Sequence, residues 1–303
     1  MVDPLSVPPA MNTPSSTISV IIVNYNSGGY LKRCVESVRS SNRSFQLILV
    51  DNASSDDSLK RVKESFSDED TIIIENEHNV GFATAVNIGF RQSKGDHILL
   101  LNPDCVVKKD TLDQLSTALS ELPKTGIVGA LVRNEDGSEQ RGCRRNEPTF
   151  KRSVVTTLKL GRWFEGVDLV HKPLPESPQA VDAVSGAAMM IKRVCFESSG
   201  GMDEHFFLHC EDLDICRSVR NLGYRVMFCP QIEVIHRQGA SDAPSFFVER
   251  HKHQGMVYYH QKHKSKRRFD WSYPLIVTLV TLHFWIRHFW HYLGGRQSAV
   301  RNK

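Results

Sequence analysis

Short apolar runs recur at nearly even spacing along the first third of the chain. They are the stretches 18–23 (ISVIIV), 45–50 (FQLILV), 71–74 (TIII) and 97–101 (HILLL). Each run is continuous rather than alternating, which is typical of strands that are buried on both faces. Patterns with helical spacing lie between the runs, as in segment 31–38. Strands that alternate with helices predict βαβ units, and therefore an α/β fold with a mostly parallel sheet.

A polar residue follows each of the four apolar runs. These residues are Asn24, Asp51, Glu75 and the elbow Asn102-Pro103-Asp104. In open parallel sheets, ligands bind beyond the carboxyl ends of the strands. One polar strand end is an ordinary turn, but four in succession predict a crevice that is lined with hydrogen-bond acceptors. We therefore expect a binding site at this edge of the sheet.

The later part of the chain contains a second group of recognisable elements. The apolar run 183–191 (AVSGAAMMI) predicts one strand. A pattern with helical spacing follows it, and Gly223 lies where a glycine commonly ends a helix. Glu211 and Asp212 fall in the first turn of that helix, where the positive end of the helix dipole stabilises a carboxylate.

Charge and aromatic residues concentrate at the C-terminus. The chain has a net charge of +4, but residues 250–303 contain eleven Lys and Arg against one acid, a net of +10. An apolar stretch at 275–286, flanked by Trp and Tyr, is shorter than the roughly 20 residues needed to span a bilayer. These features predict a basic, amphipathic tail that binds an anionic membrane surface. The alternatives are a helix packed on the domain and a homodimer interface, whereas nucleic acid is not expected.

The remaining composition defines the domain limits. Residues 1–16 are rich in Pro and Ser and have no apolar run, so they predict a disordered leader rather than a signal peptide. The seven cysteines are scattered without a C-x-x-C pair, which favours reduced thiols in a cytoplasmic protein. We expect one domain at 17–249, with a nucleotide-binding half at 17–132 and an acceptor half at 133–249, followed by the tail at 250–303.

Four segments together resemble a known family. In chain order they are VIIVNYN, VDNASSDDS, NVGFATAVNIGF with GDHILLLNPD, and GGMDEHFFLHCEDLDICRSVRNLGY. In this order and spacing they resemble the family-2 inverting glycosyltransferases, nearest to the bacterial rhamnosyltransferase branch, over about residues 17–240. The resemblance implies the GT-A fold, a Rossmann-like, mostly parallel sheet flanked by helices. It also implies transfer of a sugar from a nucleotide-diphosphate donor to a hydroxyl group.

The resemblance implies a metal site at the Asn102-Pro103-Asp104 elbow, where the family has a D-x-D motif. Asp104 would bind Mg²⁺ or Mn²⁺, and such a hard cation offsets the negative charge of a leaving diphosphate. Because Asn102 replaces the first carboxylate, we expect a weaker site than in a full D-x-D motif. His236 matches a family position that can complete the metal shell, and a buried structural histidine is the alternative.

Four further residues are implied to form the nucleotide pocket. Asp51 would accept a hydrogen bond from a pyrimidine base, although an aspartate here can also cap the turn that follows it. Asn24 and Asn79 would line the pocket through side-chain or backbone contacts. Gly81 would let the backbone approach closely, because glycine has no Cβ.

Two adjacent arginines match an Arg-rich stretch that precedes a proline in rhamnosyltransferases. Arg144 and Arg145 stand shortly before Pro148. Guanidinium groups suit diphosphates because they donate paired hydrogen bonds. The resemblance therefore implies a diphosphate contact, and a solvated basic loop is an equal alternative.

Glu211 and Asp212 match the E-D pair of the family. The resemblance implies that Asp212 is the base that deprotonates the acceptor hydroxyl, and that Glu211 positions the acceptor. A carboxylate can act in this way when it lies within hydrogen-bond reach of the hydroxyl. The alternative is two solvated acids at the start of a helix.

These inferences predict an inverting, metal-dependent glycosyltransferase at the inner face of the cytoplasmic membrane. Its donor would be a dTDP- or UDP-sugar, plausibly dTDP-rhamnose, and its acceptor a lipid-linked or growing cell-surface glycan. A membrane-bound carbohydrate-binding or scaffolding protein with weak catalysis is one alternative, supported by the incomplete metal motif. A sugar-1-phosphate nucleotidyltransferase is less favoured, because the segment NYNSGGY after the first strand contains no Lys or Arg.

Overall fold

The computed structural model describes residues 16–66, 71–158, 160–237 and 245–263, with short stretches at 273–275, 277–282 and 284–285. The strands are β1 (Ile18–Asn24), β2 (Gln46–Asp51), β3 (Thr71–Glu75), β4 (His97–Leu101), β5 (Cys105–Val107), β6 (Thr125–Arg133), β7 (Arg144–Arg145), β8 (Gln179–Val181), β9 (Ala183–Val184), β10 (Ala188–Lys192) and β11 (Arg225–His236). The helices are α1 (Tyr30–Arg39), α2 (Ser58–Ser65), α3 (Phe82–Gln92), α4 (Thr111–Glu121), α5 (Phe150–Thr157), α6 (Arg193–Ser198), α7 (Glu211–Asn221) and α8 (Ser245–Lys262). Residues 1–15 of the predicted leader lie outside the described ranges.

One large sheet forms the centre of the molecule. Its strands lie in the order β3-β2-β1-β4-β10-β6-β11-β5, and β8 pairs with β11. The pairs β3-β2, β2-β1, β1-β4 and β6-β11 are parallel, whereas β10 runs antiparallel to both its neighbours. β5 and β8 run antiparallel to β11. Within the described residues, six of the nine strands of this sheet therefore point the same way, which confirms the predicted mostly parallel α/β fold.

The four apolar runs form β1 to β4. β1, β2 and β4 are buried along nearly their whole length, but β3 is only partly buried. The prediction of burial on both faces is wrong for β3, because this strand lies at the sheet edge with one neighbour. The register places Asn24 beside Asp51, and Asp51 beside Glu75. The polar strand ends therefore meet at one edge, as predicted.

The run predicted as one strand at 183–191 is divided into two. β9 pairs with β7 in a small separate sheet, whereas β10 lies in the main sheet. Residues 185–187 connect them, and an isolated glycine in an apolar run commonly marks such a close backbone approach. A Cβ on Gly186 would lie 3.3 Å from the Cβ of Asp212, so the chain passes directly beside α7.

α7 forms as the sequence predicts. Its apolar face, which includes Leu213, Cys216 and Val219, is buried. The helix ends at Asn221, and Gly223 follows with a φ of +87°, a conformation that glycine adopts without strain. Glu211 and Asp212 therefore lie at the amino end of a well-defined helix.

α8 crosses the predicted boundary between residues 249 and 250. Tyr259 of this helix is 1% exposed and packs in the main core. The Nζ of Lys262 lies 2.7 Å from a carboxylate oxygen of Asp203 and 2.8 Å from one of Asp214. The helix is thus part of the α/β domain, as in the alternative of a C-terminal helix packed on the domain.

The rest of the tail is only partly described. The basic cluster at 264–268 and the aromatic residues Trp271, Trp290 and Tyr292 lie outside the described residues. Nε2 of His253 in α8 lies 3.0 Å from Oγ1 of Thr281, so the described part of the tail contacts α8. Of the helices in the described ranges, none is long and apolar enough to cross a membrane.

Removal of the Tyr259 side chain is expected to lower the free energy of unfolding strongly. Tyr259→Ala should destabilise the protein by about 3–5 kcal/mol, because it leaves a cavity in the core. Val194→Ala is the matched control, since Val194 is 52% exposed and its loss should change stability by less than about 0.5 kcal/mol. Urea denaturation measures the free energy of unfolding of both variants.

Truncation tests the same role of α8. A chain that ends after His263 should fold, whereas a chain that ends after Arg250 lacks Tyr259 and should not. Equal stability of the two truncated chains would contradict the assignment of α8 to the domain.

Candidate active site

Asp51 lies at the carboxyl end of β2 and lines an open cleft of about 470 Å³. Its Oδ1 accepts hydrogen bonds from Nδ2 of Asn24 at 2.6 Å and from the hydroxyl of Ser54 at 2.7 Å. Its Oδ2 accepts one from the Ser54 amide at 2.9 Å. The turn cap that was the alternative for Asp51 is therefore formed, and the same carboxylate also borders the cleft.

Asn24 lies behind Asp51 rather than at the cleft surface. It is fully buried, and its Nδ2 also contacts the hydroxyls of Ser54 and Ser58 at 3.0 and 2.9 Å. Its Oδ1 accepts a hydrogen bond from the Ser27 hydroxyl. These contacts use the whole side-chain amide, so of the predicted side-chain or backbone contacts to a nucleotide only those of the backbone remain for Asn24. Its structural effect is to hold the Asp51 carboxylate in place.

Gly81 lies directly before α3 and contacts the loop before α7. Its φ of +87° and ψ of 166° belong to a region that is essentially restricted to glycine. Oδ1 of Asn79 accepts a hydrogen bond from its amide at 3.0 Å, and the Phe82 amide donates to the carbonyl of Phe207 at 2.8 Å. A Cβ on Gly81 would lie 2.8 Å from that carbonyl oxygen. The close approach predicted at Gly81 is therefore an approach to the backbone of Phe207.

His236, the last residue of β11, meets the elbow that follows β4. Its Nε2 lies 3.0 Å from Oδ1 of Asp104 and 3.3 Å from Nδ2 of Asn102. Cys105 completes this group. Asp104, Cys105 and His236 each contribute one possible ligand atom, and these three atoms lie within 4.8 Å of one another. The structure therefore brings together the two predicted metal ligands.

Gln140 fixes the orientation of the His236 ring. The Nε2 of Gln140 donates to the carbonyl of His236 at 3.2 Å and to Oδ1 of Asn134 at 2.9 Å, so its Oε1 accepts from Nδ1–H of His236 at 2.6 Å. In the neutral ring, a proton on Nδ1 leaves a lone pair on Nε2, the nitrogen that faces the Asp104 carboxylate. A lone pair and a carboxylate so close together suit a shared cation. The donor set of one carboxylate and one oriented imidazole thus fits a divalent metal ion.

Residues 185–187 connect the elbow to α7. The carbonyl of Ala187 accepts hydrogen bonds from the Asn102 amide at 2.9 Å and from the Cys105 thiol at 3.3 Å. The adjacent Gly186 amide donates to Oδ2 of Asp212 at 3.2 Å. Two consecutive residues therefore tie the Asn102-Pro103-Asp104 elbow to the first turn of α7.

The Glu211-Asp212 pair is buried at the amino end of α7. Glu211 is 8% exposed, and its Oε2 has no hydrogen-bond partner among the residues that the structure describes. Oδ2 of Asp212 accepts a hydrogen bond from Nη2 of Arg145 at 2.5 Å, and its Oδ1 accepts one from the Leu213 amide at 2.8 Å. This burial excludes the alternative of two solvated acids.

The two carboxyl groups have opposite pKa shifts. Burial, together with the charge of Asp212, raises the pKa of Glu211 to about 8. Burial also acts to raise the pKa of Asp212, but the charge and hydrogen bond of Arg145 and the amides of Gly186 and Leu213 outweigh it and lower this pKa. At neutral pH, Asp212 is therefore ionised and Glu211 protonated. Such divergent pairs distinguish the base from its neutral partner.

Arg144 is committed to structural contacts. Its guanidinium pairs with Glu139 through bonds of 2.8 and 3.1 Å and donates to the carbonyls of Lys172 and Pro173 at 2.6 and 3.2 Å. The residue is 3% exposed, and each of its guanidinium nitrogens donates to a protein oxygen. This corrects the prediction that Arg144 binds a diphosphate, and it also excludes a solvated loop at this residue. The guanidinium of Arg145 is directed to Asp212 instead.

Sequence reasoning missed Gln140 and Gly186. Gln140 lies in a loop without periodicity, and its partner His236 is 96 residues away, so nothing local could identify it. Gly186 had a usable signal, because an isolated glycine interrupts the apolar run 183–191.

Comparison with known proteins agrees with this geometry. The sequence model of glycosyl transferase family 2 matches residues 19–195. Over 283 residues the chain is 24% identical to the N-acetylglucosaminyl-diphospho-decaprenol L-rhamnosyltransferase of Mycobacterium tuberculosis. The aligned region covers 88% of this chain and 90% of that protein. It is 26% identical over 236 residues to the rhamnosyltransferase WbbL of Escherichia coli, with coverage of 76% and 86%.

A solved structure confirms the fold. The mannosyltransferase PcManGT from Pyrobaculum calidifontis, in complex with GDP-Man and Mn²⁺, is similar with a TM-score of 0.59 at 17% identity. The match covers 89% of this chain and 69% of that one, and it supports the GT-A architecture. The chain is a glycosyltransferase that belongs to glycosyl transferase family 2, close to its rhamnosyltransferase branch.

Proposed function

We propose that the chain is an inverting, metal-dependent glycosyltransferase that moves L-rhamnose from dTDP-rhamnose to a hydroxyl group of a lipid-linked or growing cell-surface glycan. The two relatives named as rhamnosyltransferases support the choice of sugar. The diphospho-decaprenol in the name of the mycobacterial relative supports a lipid-linked acceptor. A UDP-sugar is the second donor to consider. The observation on which the proposal depends is the sheltered Glu211-Asp212 pair at the amino end of α7, in which Arg145 binds the Asp212 carboxylate.

Asp212 acts as the base in this proposal. Three donors fix its carboxylate: Oδ2 accepts from Arg145 and Gly186, whereas Oδ1 accepts from Leu213 alone and keeps a further lone pair. Its lowered pKa keeps it unprotonated at neutral pH, so it can accept the proton of the acceptor hydroxyl. The hydroxyl oxygen then attacks the anomeric carbon as the nucleoside diphosphate leaves from the opposite face. This single displacement inverts the anomeric configuration.

Glu211 supports the acceptor in the same step. Its carboxyl group is neutral at pH 7, because burial raises its pKa to about 8. A neutral carboxyl group has an O–H that can donate a hydrogen bond to an acceptor oxygen. We propose that it orients the sugar hydroxyl toward Asp212.

The donor nucleotide binds at the opposite side of the sheet edge. The cleft beside Asp51 is lined by side chains from the loop after β2 and from α2. Asp51 is held by Asn24 and Ser54, and we propose that it accepts a hydrogen bond from the pyrimidine base. Asn79 and Gly81 contribute the backbone beside the nucleotide.

Asp104 and His236 are the proposed metal ligands. Gln140 holds the imidazole so that Nε2 faces the carboxylate. Bound Mg²⁺ or Mn²⁺ would offset the negative charge that develops on the leaving diphosphate. The complex of the similar mannosyltransferase with Mn²⁺ supports a divalent ion.

The tail supports a location at the inner face of the cytoplasmic membrane. Lys262 pairs with Asp203 and Asp214, which offsets its charge, and most of the remaining Lys and Arg residues of the tail come after position 263 in the sequence. Each basic residue near a charged surface contributes up to about 1 kcal/mol. The full chain should therefore bind anionic vesicles better than neutral ones, whereas a chain that ends after His263 should bind neither well. Equal sedimentation of both chains with anionic vesicles would contradict a membrane role for the tail.

The proposed activity is tested with a panel of nucleotide sugars and a native lipid extract as acceptor. Release of dTDP from dTDP-rhamnose, dependent on the lipid extract, is the expected result. Binding of nucleotide sugar without release from any donor would favour the scaffolding alternative. Formation of a nucleotide sugar from a nucleoside triphosphate and a sugar 1-phosphate would favour a nucleotidyltransferase.

A further inference from the structure

Arg145 and Asp212 form a sheltered ion pair between the small sheet and α7. Nη2 of Arg145 lies 2.5 Å from Oδ2 of Asp212 and donates to the carbonyl of Val184 at 2.8 Å. The two side chains are 14% and 15% exposed. The pair thus joins β7 and β9 to the proposed base.

The contacts of Arg145 follow from its place in β7. Successive side chains of a strand point to opposite faces. Arg144 therefore points to Glu139 and lies over the Phe228 ring, with its guanidinium carbon 5.5 Å from the ring centroid. Arg145 points the other way, toward α7. The pairing of Arg144 with Val184 and of Arg145 with Ala183 fixes the position from which this guanidinium reaches Asp212.

We infer that Arg145 is a positioning residue that fixes the orientation and the charge of the Asp212 carboxylate, rather than a ligand of the donor diphosphate. The inference rests on the proposed function of Asp212 as the base. Arg145 acts through Asp212.

Arg145 is the source of positive charge at this carboxylate. Other titratable groups that interact electrostatically with Asp212 or Arg145 include Glu211, His209, Cys210 and Cys216. Glu249 and Lys252 of α8 interact in turn with His209. Burial lowers the pKa of His209 to about 4, so this ring is neutral at pH 7. Burial raises the pKa of both thiols, so they are neutral as well. Without Arg145, the Asp212 carboxylate would lie in a buried site beside Glu211 with no positive charge to balance its own.

The test compares Arg145→Met and Arg145→Lys by kcat as a function of pH and by the Kd for dTDP. Loss of the cation lets burial raise the pKa of Asp212, by up to about 3–5 units for a fully buried group. In Arg145→Met, kcat at pH 6.5 should therefore fall by about 10- to 100-fold and recover in part as the pH rises. Arg145→Lys keeps the charge and should keep most of the wild-type pH profile. The Kd for dTDP should change by less than about threefold in both.

A second measurement needs no turnover. In Arg145→Met, a raised pKa in the folded state gives stability that is present at low pH and lost as the pH rises through that pKa. The Tm of this variant should fall more steeply than that of the wild type between pH 5 and 8. Adding Asp212→Asn should remove the extra slope. Arg141→Met is the matched control, because Arg141 lies in the same segment but its side chain is 74% exposed.

Two results would overturn the inference. One is a Kd for dTDP that rises tenfold or more in Arg145→Met with an unchanged pH profile, which would make Arg145 a diphosphate ligand. The other is an extra Tm slope that persists after Asp212→Asn, which would make its role merely structural. If no donor is turned over by the wild type, the proposed function fails, but the Tm measurement still decides whether Arg145 sets the charge of Asp212.

Discussion

Asp212→Asn is expected to lower kcat by about 10²- to 10⁴-fold, with little change in the Kd of the nucleotide donor. Asparagine has nearly the same size as aspartate, and its Oδ1 can still accept a hydrogen bond from Arg145. It has no charge and cannot accept the proton of the acceptor hydroxyl. Because the proposed donor cleft at Asp51 does not include Asp212, donor binding should persist. Release of nucleoside diphosphate measures kcat, and titration calorimetry measures donor binding.

Glu211→Gln is the matched control for this prediction. The amide is neutral, as the Glu211 carboxyl group is below its raised pKa of about 8, and it keeps a hydrogen-bond donor. We expect kcat to fall by less than about tenfold. An Asp212→Asn variant that keeps more than a tenth of the wild-type kcat would show that Asp212 is not the base. A larger loss in Glu211→Gln than in Asp212→Asn would assign that role to Glu211.

Removal of divalent metal is expected to stop turnover, and Mg²⁺ or Mn²⁺ should restore it. Asp104→Ala and His236→Ala should each weaken Mn²⁺ binding, since each removes one of two proposed ligands. Gln140→Leu should weaken it by about 10- to 100-fold, because the His236 ring loses the partner that orients it. Paramagnetic resonance titration of Mn²⁺ measures these affinities independently of activity.

The matched control for the metal site is Asp136→Asn, an exposed carboxylate of the loop that contains Gln140. It should leave Mn²⁺ affinity and turnover unchanged. The variants of Asp104 and His236 should weaken dTDP binding in the presence of Mn²⁺ and leave thymidine binding intact. Full activity in excess chelator would contradict the metal role of both residues together.

Periodicity in the sequence was sufficient to predict the parallel strands β1 to β4 but not β5, β6, β8 and β11 of the same sheet. Continuous apolar runs define β1 to β4, and their polar ends define the edge where Asp51 and Asp104 lie. β3 departs from the prediction because strand order, which periodicity does not encode, places it at the edge. The break at Gly186 was visible as an isolated glycine, although the direction in which its backbone points depends on α7.

The chemistry of the site depended on contacts between residues far apart in the chain. The motif order placed Glu211 and Asp212, but the lowered pKa of Asp212 depends on Arg145, 67 residues away in the chain. Arg144 and Arg145 have different partners because successive side chains of β7 point to opposite faces. This strand is only two residues long, so the sequence shows no detectable strand pattern there. α8 was obscured for a related reason, because its short apolar stretch 256–259 lies between polar and basic residues.

The anomeric configuration of the product tests the central claim most directly. The proposed single displacement, with Asp212 as base, requires attack on the face opposite the leaving diphosphate. The one-bond carbon–hydrogen coupling at the anomeric centre, measured by NMR on the product of a defined nucleotide sugar, distinguishes the two configurations. We predict a configuration opposite to that of the donor, and a product that retains the donor configuration would contradict the inverting mechanism.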